Sequence, residues 1–514
     1  MSCQDPKNPE FSPLALLLLV AFFFFLGLLL ILNHEMWRDE WQCWLIARDS
    51  RSLAGLFHNM RYEGHPALWY LALFGLSRLT EHPQAMQLLH LALATATAYV
   101  FLRFSPFTKL QKILFIFSYF PCFEYSVISR NYILGILMIF AYCAVFSRDF
   151  PKKSLVLAGL LFLLCQTTVY GVLVAVALAA SLFVGEYTAN RSNLAMSRNE
   201  FLAVGLILLA GIGLAGLQMM PPPDSGFSRG WNFNFDWLLI VRTVDTIWNS
   251  YIPIPRFQWQ FWNTNLLLDS YIKAFYSILL IGFSFFLFRR QPAVLVLFAL
   301  GTLGILSFSY LKYPGDLRHH GHLFLIFMAS LWLSSYYPVR DGKPRSFGKL
   351  DHYCQRYRNG FIVTILVTQL LTGLLAASLG LYYPFSANKE TANYIREHGM
   401  ADLLIAGDVD YATIGISGYL HRNIFHLTSG RWSSFIIWDL KRTTWEYERP
   451  DKRALEALQR ARQLAEQHRQ ELLLILNHEV KSPEPGVIPL RQFPRSIVPD
   501  EAFFLYLVKP SEGR

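Results

Sequence analysis

The sequence has few charged residues. Asp, Glu, Lys and Arg together make up 16% of its 514 residues, against about a quarter in soluble domains, while 53% are hydrophobic. The apolar run PLALLLLVAFFFFLGLLLILN at residues 13–33 contains no charge at all. This composition excludes an ordinary soluble protein and indicates a chain that crosses a membrane several times.

Several motifs of other protein classes are missing as well. The six cysteines include no CxxC pair, and no HExxH stretch occurs, which argues against a disulfide framework and against a zinc site of those kinds. No A-x-A-like cleavage site follows the first apolar run, so we expect a retained first helix. No internal repeat is visible, and the inverted repeats of many transporters are therefore not indicated.

The net charge of +10 comes from basic residues in the short gaps between apolar runs. This is the pattern of cytoplasmic loops, and it excludes a nucleic-acid-binding face. With the N-terminus in the cytoplasm, every inside gap is basic, as at Arg103, Lys109 and Lys112. We expect an integral plasma (inner) membrane protein of about eleven transmembrane helices. The predicted spans are residues 12–32, 85–103, 110–126, 131–147, 154–168, 170–184, 201–219, 271–288, 292–311, 322–338 and 360–382.

The character of the chain changes after residue 384. The stretches DLLIAG, NIFHL, ELLLILN and FFLYLV are typical of buried strands, and residues 387–399 and 451–469 are typical of helices. We therefore predict a transmembrane domain at 1–384 and a soluble α/β domain at 385–514, which helix parity places outside the cell. The outer segments 33–84 and 220–270 are the other large extracytoplasmic parts, the second an ordered loop in the aromatic belt.

Two adjacent acids, Asp39 and Glu40, follow the first span in the stretch WRDEWQCW. Carboxylates near an apolar rim can serve as a general base for a hydroxyl or hold a divalent cation. The alternative is an interfacial anchor, in which the acids only accompany the neighbouring tryptophans. Glu63 and His65 in RYEGHPALWY share the same outer loop, as substrate contacts or as ordinary loop residues that support the start of a helix at Pro66.

Basic residues occur in two other outer loops. Arg130 and Tyr132 lie in ISRNYILG, where a guanidinium fork matches phosphate geometry, although an arginine there could also reach lipid headgroups. The loop KYPGDLRHHGHLFL contains Arg318, His319 and His320, which suit a phosphate group better than a metal, the alternative being a solvated loop. A base facing a cationic phosphate pocket is what sugar transfer from a lipid-phosphate donor requires.

These motifs resemble the GT-C superfamily of integral-membrane glycosyltransferases, in particular the branch of protein O-mannosyltransferases and bacterial aminoarabinose transferases. The acidic pair Asp39-Glu40 after the first helix, HPALWY and the SR-x-Y of Ser129 to Tyr132 carry the resemblance. It implies an inverting hexosyl or pentosyl transfer from a polyprenyl-phosphate sugar outside the membrane. Asp39 would be the general base, with Glu40 supporting the acceptor, the donor or a cation. Arg130, Tyr132 and the Arg318-His319-His320 loop would bind the donor phosphate.

The sequence departs from the resemblance at two places, and it leaves alternatives open. RHHGH matches no characterised member, and QTTVYG lacks the histidine of a His-Tyr pair that relatives often place there. The sugar, the choice among glycan, lipid and protein acceptors, and a divalent cation stay open. The alternative function is a transporter or flippase of a lipid-linked glycan, but such proteins carry ionisable residues in mid-span, where these runs are almost clean. A further alternative is an inactive assembly or sensor protein.

Overall fold

The structure, a computed structural model, describes residues 10–188, 196–226, 230–339, 348–442, 450–480 and 485–510. The helices up to the end of the predicted transmembrane part are α1 (Pro13–Leu32), α2 (Arg38–Asp49), α3 (Leu53–Met60), α4 (Leu68–Ser77), α5 (Gln84–Phe104), α6 (Lys109–Ile116), α7 (Tyr132–Phe146), α8 (Lys153–Cys165), α9 (Val169–Thr188), α10 (Arg198–Met219), α11 (Trp237–Tyr251), α12 (Ser270–Phe288), α13 (Pro292–Leu311), α14 (Leu317–Leu333), α15 (Gly348–Arg356) and α16 (Arg358–Tyr382).

Seven of these helices are long and apolar enough to cross a membrane by length and composition: α1, α5, α9, α10, α12, α13 and α16. The shorter apolar helices α4, α7 and α8 lie among them. The fold is thus that of a polytopic α-helical membrane protein, while the expected number of about eleven spans stays a prediction. Part of the basic-loop pattern behind that number, such as Arg191 and Arg340, falls outside the described residues.

The run at 110–126, predicted as one continuous span, is broken in the structure. α6 ends at Ile116, and a π-helical turn (Phe120–Glu124) follows it. Pro121 lies in this turn, and a proline lacks the backbone N–H that an uninterrupted helix needs. The prediction of one helix here is wrong because it weighed the apolar run above the proline.

The outer segment after α10 contains a helix that the sequence analysis took as loop. α11 begins after Asp236, whose side chain accepts the Leu239 N–H at 3.0 Å and so satisfies a free donor of the first turn. One face of α11 is buried against α12 and α14. In the segment that follows, Trp262 Nε1 donates to Glu124 Oε2 at 3.0 Å, which ties this segment to the π-helical turn.

The C-terminal part contains a small mixed sheet. Its strands are β1 (Leu404–Asp408), β2 (Ile424–His426), β3 (Arg431–Ser433), β4 (Leu472–Leu476), β5 (Val487–Phe493) and β6 (Phe503–Val508), in the order β3-β2-β1-β4-β6-β5. β2, β1 and β4 are parallel, and the other pairings are antiparallel. The helices of this part are α17 (Asn388–Glu397), α18 (Asp410–Leu420) and α19 (Pro450–His468).

The buried strands of this sheet were predictable, and the others were not. β1 and β4 are buried along their whole length because apolar clusters cover both faces of the sheet, one under α17 and α18 and the other under α19. The four predicted strands are present. β3 is short and partly exposed, and four of the seven residues of β5 are exposed, so neither shows an apolar pattern. A soluble α/β fold follows the helices, although the boundary at residues 384 and 385 stays a prediction.

The sheet part packs directly on α2. A Cβ atom placed on Gly418 of α18 would lie 2.3 Å from the Trp41 ring, so only glycine allows this approach of the two helices. Gln42 of α2 pairs with the backbone of Ile436, donating to its carbonyl at 2.8 Å and accepting its N–H at 2.9 Å. The loop after α10 also reaches the sheet part, where Gly226 N donates to Trp438 O at 2.8 Å.

Candidate active site

A cavity of about 1050 Å³ lies where the helices meet the sheet part. Its walls come from the start of α2, the loop before α4, the starts of α7 and α14, and the loops of the sheet part. Seven residues expected from the sequence line it: Asp39, Glu63, His65, Arg130, Tyr132, Arg318 and His319. The structure therefore brings together residues from four separate sequence motifs. Glu40 and His320 do not line this cavity.

Asp39 lies in the first turn of α2 with two arginines around its carboxylate. Its Oδ2 is 3.6 Å from Arg130 Nη1 and 3.5 Å from Arg318 Nη2, and 29% of the side chain is exposed. Burial alone would raise the pKa of this carboxyl, but the nearby arginines, Arg130 first, hold the pKa below its ordinary value. Asp39 is therefore ionised at neutral pH.

Both arginines are largely buried and fixed by other contacts. Arg130 is 7% exposed and donates from Nη1 to the Asp39 carbonyl at 2.6 Å. Arg318 is 7% exposed, lies 3.0 Å from Asp316, and has its guanidinium 5.0 Å from the Trp37 ring and 5.6 Å from the Trp262 ring. The Nε–H of each arginine is buried without an acceptor. Two guanidinium groups with unused donors beside a cavity suit an anionic ligand.

Tyr132 and His319 form a neutral pair beside these arginines. His319 Nδ1 accepts the Asp316 N–H at 2.8 Å, so the proton of a neutral ring lies on Nε2, which is 2.8 Å from the Tyr132 hydroxyl. His320 points elsewhere, since its Nε2 contacts the Pro314 carbonyl at 2.9 Å. Successive residues on a helix are turned by about 100°, so neighbouring histidines at the start of α14 face different surroundings.

Glu40 is fully buried and serves as a hub for backbone groups. Its carboxylate accepts the Ser129 N–H at 2.7 Å and the Trp37 N–H at 3.1 Å, and it lies 2.8 Å from His34 Nε2. These contacts join the start of α2 to the loop before α7, and so place Asp39 opposite Arg130. The position of Glu40 does not support the catalytic role expected from the sequence, because all of its contacts are structural ones away from the cavity.

Glu63 places a second carboxyl group in the cavity. Its Oε1 accepts from Gln42 Nε2 at 2.8 Å, and Tyr70 OH donates to Oε2 at 3.4 Å. Burial raises the pKa of Glu63 to about 7. Burial, together with the charge of Arg130, lowers the pKa of His65 to about 3, so this imidazole is neutral. The cavity thus contains one acid that is ionised throughout and one that titrates near neutral pH.

The chemistry of the donor set suits an anion better than a metal ion. Among the residues that the structure describes, no three His, Cys, Asp or Glu side chains come together as metal ligands. The acids that face the cavity are engaged by arginines or by Gln42. The divalent cation left open by the sequence has no ligand set in the described part of the chain.

Part of the site has no signal in the sequence. Arg38 forms an ion pair with Asp500, and its backbone N–H donates to Glu501 Oε1 at 2.9 Å. The sheet part adds seven residues to the cavity wall: Tyr411, Ile414, Ile436, Trp438, Val498, Pro499 and Asp500. These contacts depend on how two parts of the chain dock, and no motif marks them.

The fold and the site define a class: an integral membrane protein whose helices enclose a polar cavity beneath an α/β domain. No family model and no curated protein matches the chain. Two solved structures are similar to it. One is ArnT from Cupriavidus metallidurans bound to undecaprenyl phosphate, with 12% identity over 96% of this chain and 97% of that chain, at a TM-score of 0.47. The other is the arabinofuranosyltransferase AftD from Mycobacteria, with 12% identity over 86% of this chain and 35% of that chain, at a TM-score of 0.24.

Both of these proteins are GT-C glycosyltransferases, the superfamily that the sequence motifs resemble. At 12% identity and TM-scores below 0.5, the likeness does not extend to donor, acceptor or residue roles. The chemistry of this chain has to come from its own residues.

Proposed function

We propose that the protein is a glycosyltransferase that moves a sugar from a polyprenyl-phosphate donor to a hydroxyl group of an acceptor, with inversion at the sugar carbon. The observation that carries the proposal is the carboxylate of Asp39 between Arg130 and Arg318, at 3.6 and 3.5 Å, in a cavity of about 1050 Å³. A base beside two phosphate-binding groups is the arrangement that this reaction needs.

The donor phosphate binds to the two guanidinium groups. Each retains an unused Nε–H, and the fork of an arginine matches two phosphate oxygens. Lys312 lines the same cavity and adds a third cation. When the bond between the sugar carbon and the phosphate oxygen breaks, negative charge grows on that oxygen, and these cations stabilise it.

The polyprenyl chain lies in an apolar groove next to the cavity. This groove, of about 460 Å³, runs between α11 and α13, and its apolar lining includes Phe233, Phe235 and Leu306. Phe308 and Lys312, on or just after α13, line the main cavity, so the two spaces share one helix end. Phe233 and Phe235 are 77% and 81% exposed, which suits contact with lipid. The lipid chain can therefore remain in the membrane while its phosphate reaches Arg318.

Asp39 takes the proton of the acceptor hydroxyl. The acceptor oxygen forms a bond to the sugar carbon, the bond to the phosphate oxygen breaks, and polyprenyl phosphate leaves with the bonding electrons. Since attack and departure are on opposite faces of the sugar, the configuration inverts. Asp39 is ionised before the reaction, and a phosphate that draws Arg130 and Arg318 toward itself leaves this carboxylate more basic.

The membrane orientation follows from the charges. Basic gaps face the cytoplasm, the N-terminus lies inside, and the α/β domain at 385–514 lies outside the cell together with the cavity. The transfer then occurs on the extracytoplasmic face of the plasma (inner) membrane. Tyr132 and His319 border the donor phosphate, and Glu63 and His65 border the acceptor side of Asp39.

The test is reconstitution in liposomes with radiolabelled polyprenyl-phosphate sugars, both hexosyl and pentosyl, and with cell-envelope extract as the acceptor source. We expect label to move to an acceptor, with unlabelled polyprenyl phosphate as the second product. Translocation of the intact lipid across the bilayer without breakage of the sugar–phosphate bond would instead identify a flippase, and the proposed function would be wrong.

A further inference from the structure

The sheet part turns its ligand-binding edge toward the cavity. In open α/β sheets, ligands bind outside the carboxyl ends of the parallel strands, at the point where the strand order reverses. Here β1 is followed in sequence by β2 on one side and, after α19, by β4 on its other side, so this point lies between β1 and β4. The chain after the carboxyl end of each of these three strands leads to the cavity wall.

The path from each strand end can be followed residue by residue. Tyr411 follows three positions after the end of β1 and lines the cavity. Asn477, directly after β4, donates from Nδ2 to the Asp500 carbonyl at 3.2 Å, and Asp500 lines the cavity. The chain after β2 and β3 leads to Trp438, which also lines it. The edge at which sheets of this kind bind ligands is therefore the wall that faces Asp39.

The aromatic side chains of this wall are held in place. Arg442 forms two 2.9 Å hydrogen bonds with the carboxylate of Asp410, and its guanidinium lies 4.6 Å from the Trp438 ring and 5.9 Å from the Tyr411 ring. The Trp438 carbonyl accepts the Gly226 N–H at 2.8 Å. A pre-formed aromatic surface binds a ligand without the entropic cost of ordering its own side chains.

The two ends of the cavity differ in charge. The end that carries Arg130, Arg318 and Lys312 is cationic, whereas the seven residues from the sheet part include one charged side chain, Asp500, which pairs with Arg38. An anionic acceptor would be held more weakly at this second end. Tryptophan and tyrosine rings contact the C–H face of a sugar, while carboxylates and Gln42 accept or donate hydrogen bonds at its hydroxyl edge.

We propose that Tyr411, Trp438 and Asp500 form the acceptor subsite, and that the acceptor is an uncharged carbohydrate. This inference rests on the proposed function and adds the class of acceptor to it. The sugar stacks on the two rings and directs one hydroxyl group to Asp39, with the donor sugar on the opposite side of that hydroxyl. The sheet part is then a specificity element, and the helices carry the donor.

The experiment uses the full chain in nanodiscs and two probes. Undecaprenyl phosphate, which is the lipid in the ArnT structure, tests the donor end, and uncharged methyl glycosides observed by saturation-transfer NMR test the acceptor end. The variants are Trp438→Ala and Tyr411→Leu, and Trp432→Ala is the matched control. Trp432 is a 42% exposed tryptophan of β3 outside the cavity.

We expect methyl glycosides to bind the wild type and the Trp432→Ala protein equally, and to bind each of the other two variants at least tenfold more weakly. Undecaprenyl phosphate should bind all four proteins alike, which also shows that they are folded. Should one variant fail to fold, the other gives the result. Unchanged glycoside binding in the variants, no glycoside binding to the wild type, or binding of a serine- or threonine-containing peptide in its place would overturn the inference. Loss of undecaprenyl phosphate binding in the wild type would instead contradict the proposed function.

Discussion

The Asp39 carboxylate and the Arg318 guanidinium lie 3.5 Å apart, although the two residues are separated by 279 positions in the sequence. Arg130, 3.6 Å from the same carboxylate oxygen, completes a group of one acid and two cations. A donor phosphate would compete with Asp39 for these cations. Binding of the donor and activation of the base are therefore coupled through the same two side chains.

Replacing an arginine by lysine should weaken donor binding. In Arg318→Lys the charge stays, but the planar fork between the Trp37 and Trp262 rings is lost, and with it the paired donors for phosphate. We expect the Kd for undecaprenyl phosphate to rise about tenfold or more, with a smaller change in the folding of the protein. Arg130→Lys should act in the same direction. Fluorescence titration with the lipid in nanodiscs measures both.

The control for this series is Arg422→Lys. Arg422 is an arginine of the sheet part that lines a separate surface pocket of about 500 Å³ and not the main cavity. Its replacement should leave lipid binding unchanged. An equal loss of binding in Arg422→Lys and Arg318→Lys would show that general charge, and not the cavity, holds the lipid.

Glu63 should make the protein less stable as the pH rises. Its pKa of about 7 in the folded chain exceeds the ordinary value of 4.5. The folded state thus binds the proton more tightly, so the stabilisation is complete below about pH 4.5 and is lost as the pH rises through about 7. Glu63→Gln, which stays uncharged, should flatten this part of the profile of melting temperature against pH.

Glu501 provides the comparison, because burial raises its pKa to about 8 and it shifts stability in the same direction. Glu63→Gln should leave the Glu501 contribution in place at the higher pH, so the slope between about pH 5 and 7 should fall more than the slope above it. A profile of Glu63→Gln that superimposes on that of the wild type would refute the buried, protonated state of Glu63.

Glu40 should affect stability more than binding. Glu40→Gln replaces one carboxylate oxygen by an amide NH₂ next to backbone N–H donors of Trp37 and Ser129, which loses at least one buried hydrogen bond. We expect a loss of about 2 kcal/mol in the free energy of unfolding. The remaining folded protein should still bind undecaprenyl phosphate. Thermal unfolding and lipid titration of the same sample separate the two effects.

Gly418 should control the docking of the sheet part on α2. A methyl group at this position would lie 2.3 Å from Trp41, whose ring is fully buried, so Gly418→Ala has to push α2 and α18 apart. We expect a clear loss of transfer activity and an increase in proteolysis between the two parts. Gly216→Ala is the matched control, since open space surrounds that helical glycine. Equal activity of the two variants would show that the contact is not needed.

The sequence was sufficient for elements that depend on local pattern. Apolar runs such as Pro13–Leu32 and the buried strands Leu404–Asp408 and Leu472–Leu476 have continuous signals, and the structure contains all three. The short exposed strand Arg431–Ser433 has no such signal. The helix Trp237–Tyr251 was missed because its segment is rich in Trp, Asn and Phe, which suggested a loop at the membrane surface.

The site was predictable in its members and less so in their roles. Asp39, Arg130 and Arg318 could be placed together because the predicted topology put all three motifs on one side of the membrane. Glu40 and His320 are sequence neighbours of residues that line the cavity, and only the helix rotation separates their surroundings. Trp438 reaches the cavity through the docking of two distant parts of the chain, which no local pattern encodes.

The most direct test of the account is sugar transfer from a labelled polyprenyl-phosphate donor by the wild type, Asp39→Asn and the control Asp49→Asn. Asp49 lies at the other end of α2, where it pairs with Arg48 outside the cavity. We predict that Asp39→Asn loses transfer by about a hundredfold or more, because the base is absent, while it binds undecaprenyl phosphate at least as tightly as the wild type. Asp49→Asn should retain transfer. Transfer by Asp39→Asn at the wild-type rate would contradict the central claim that this carboxylate accepts the proton.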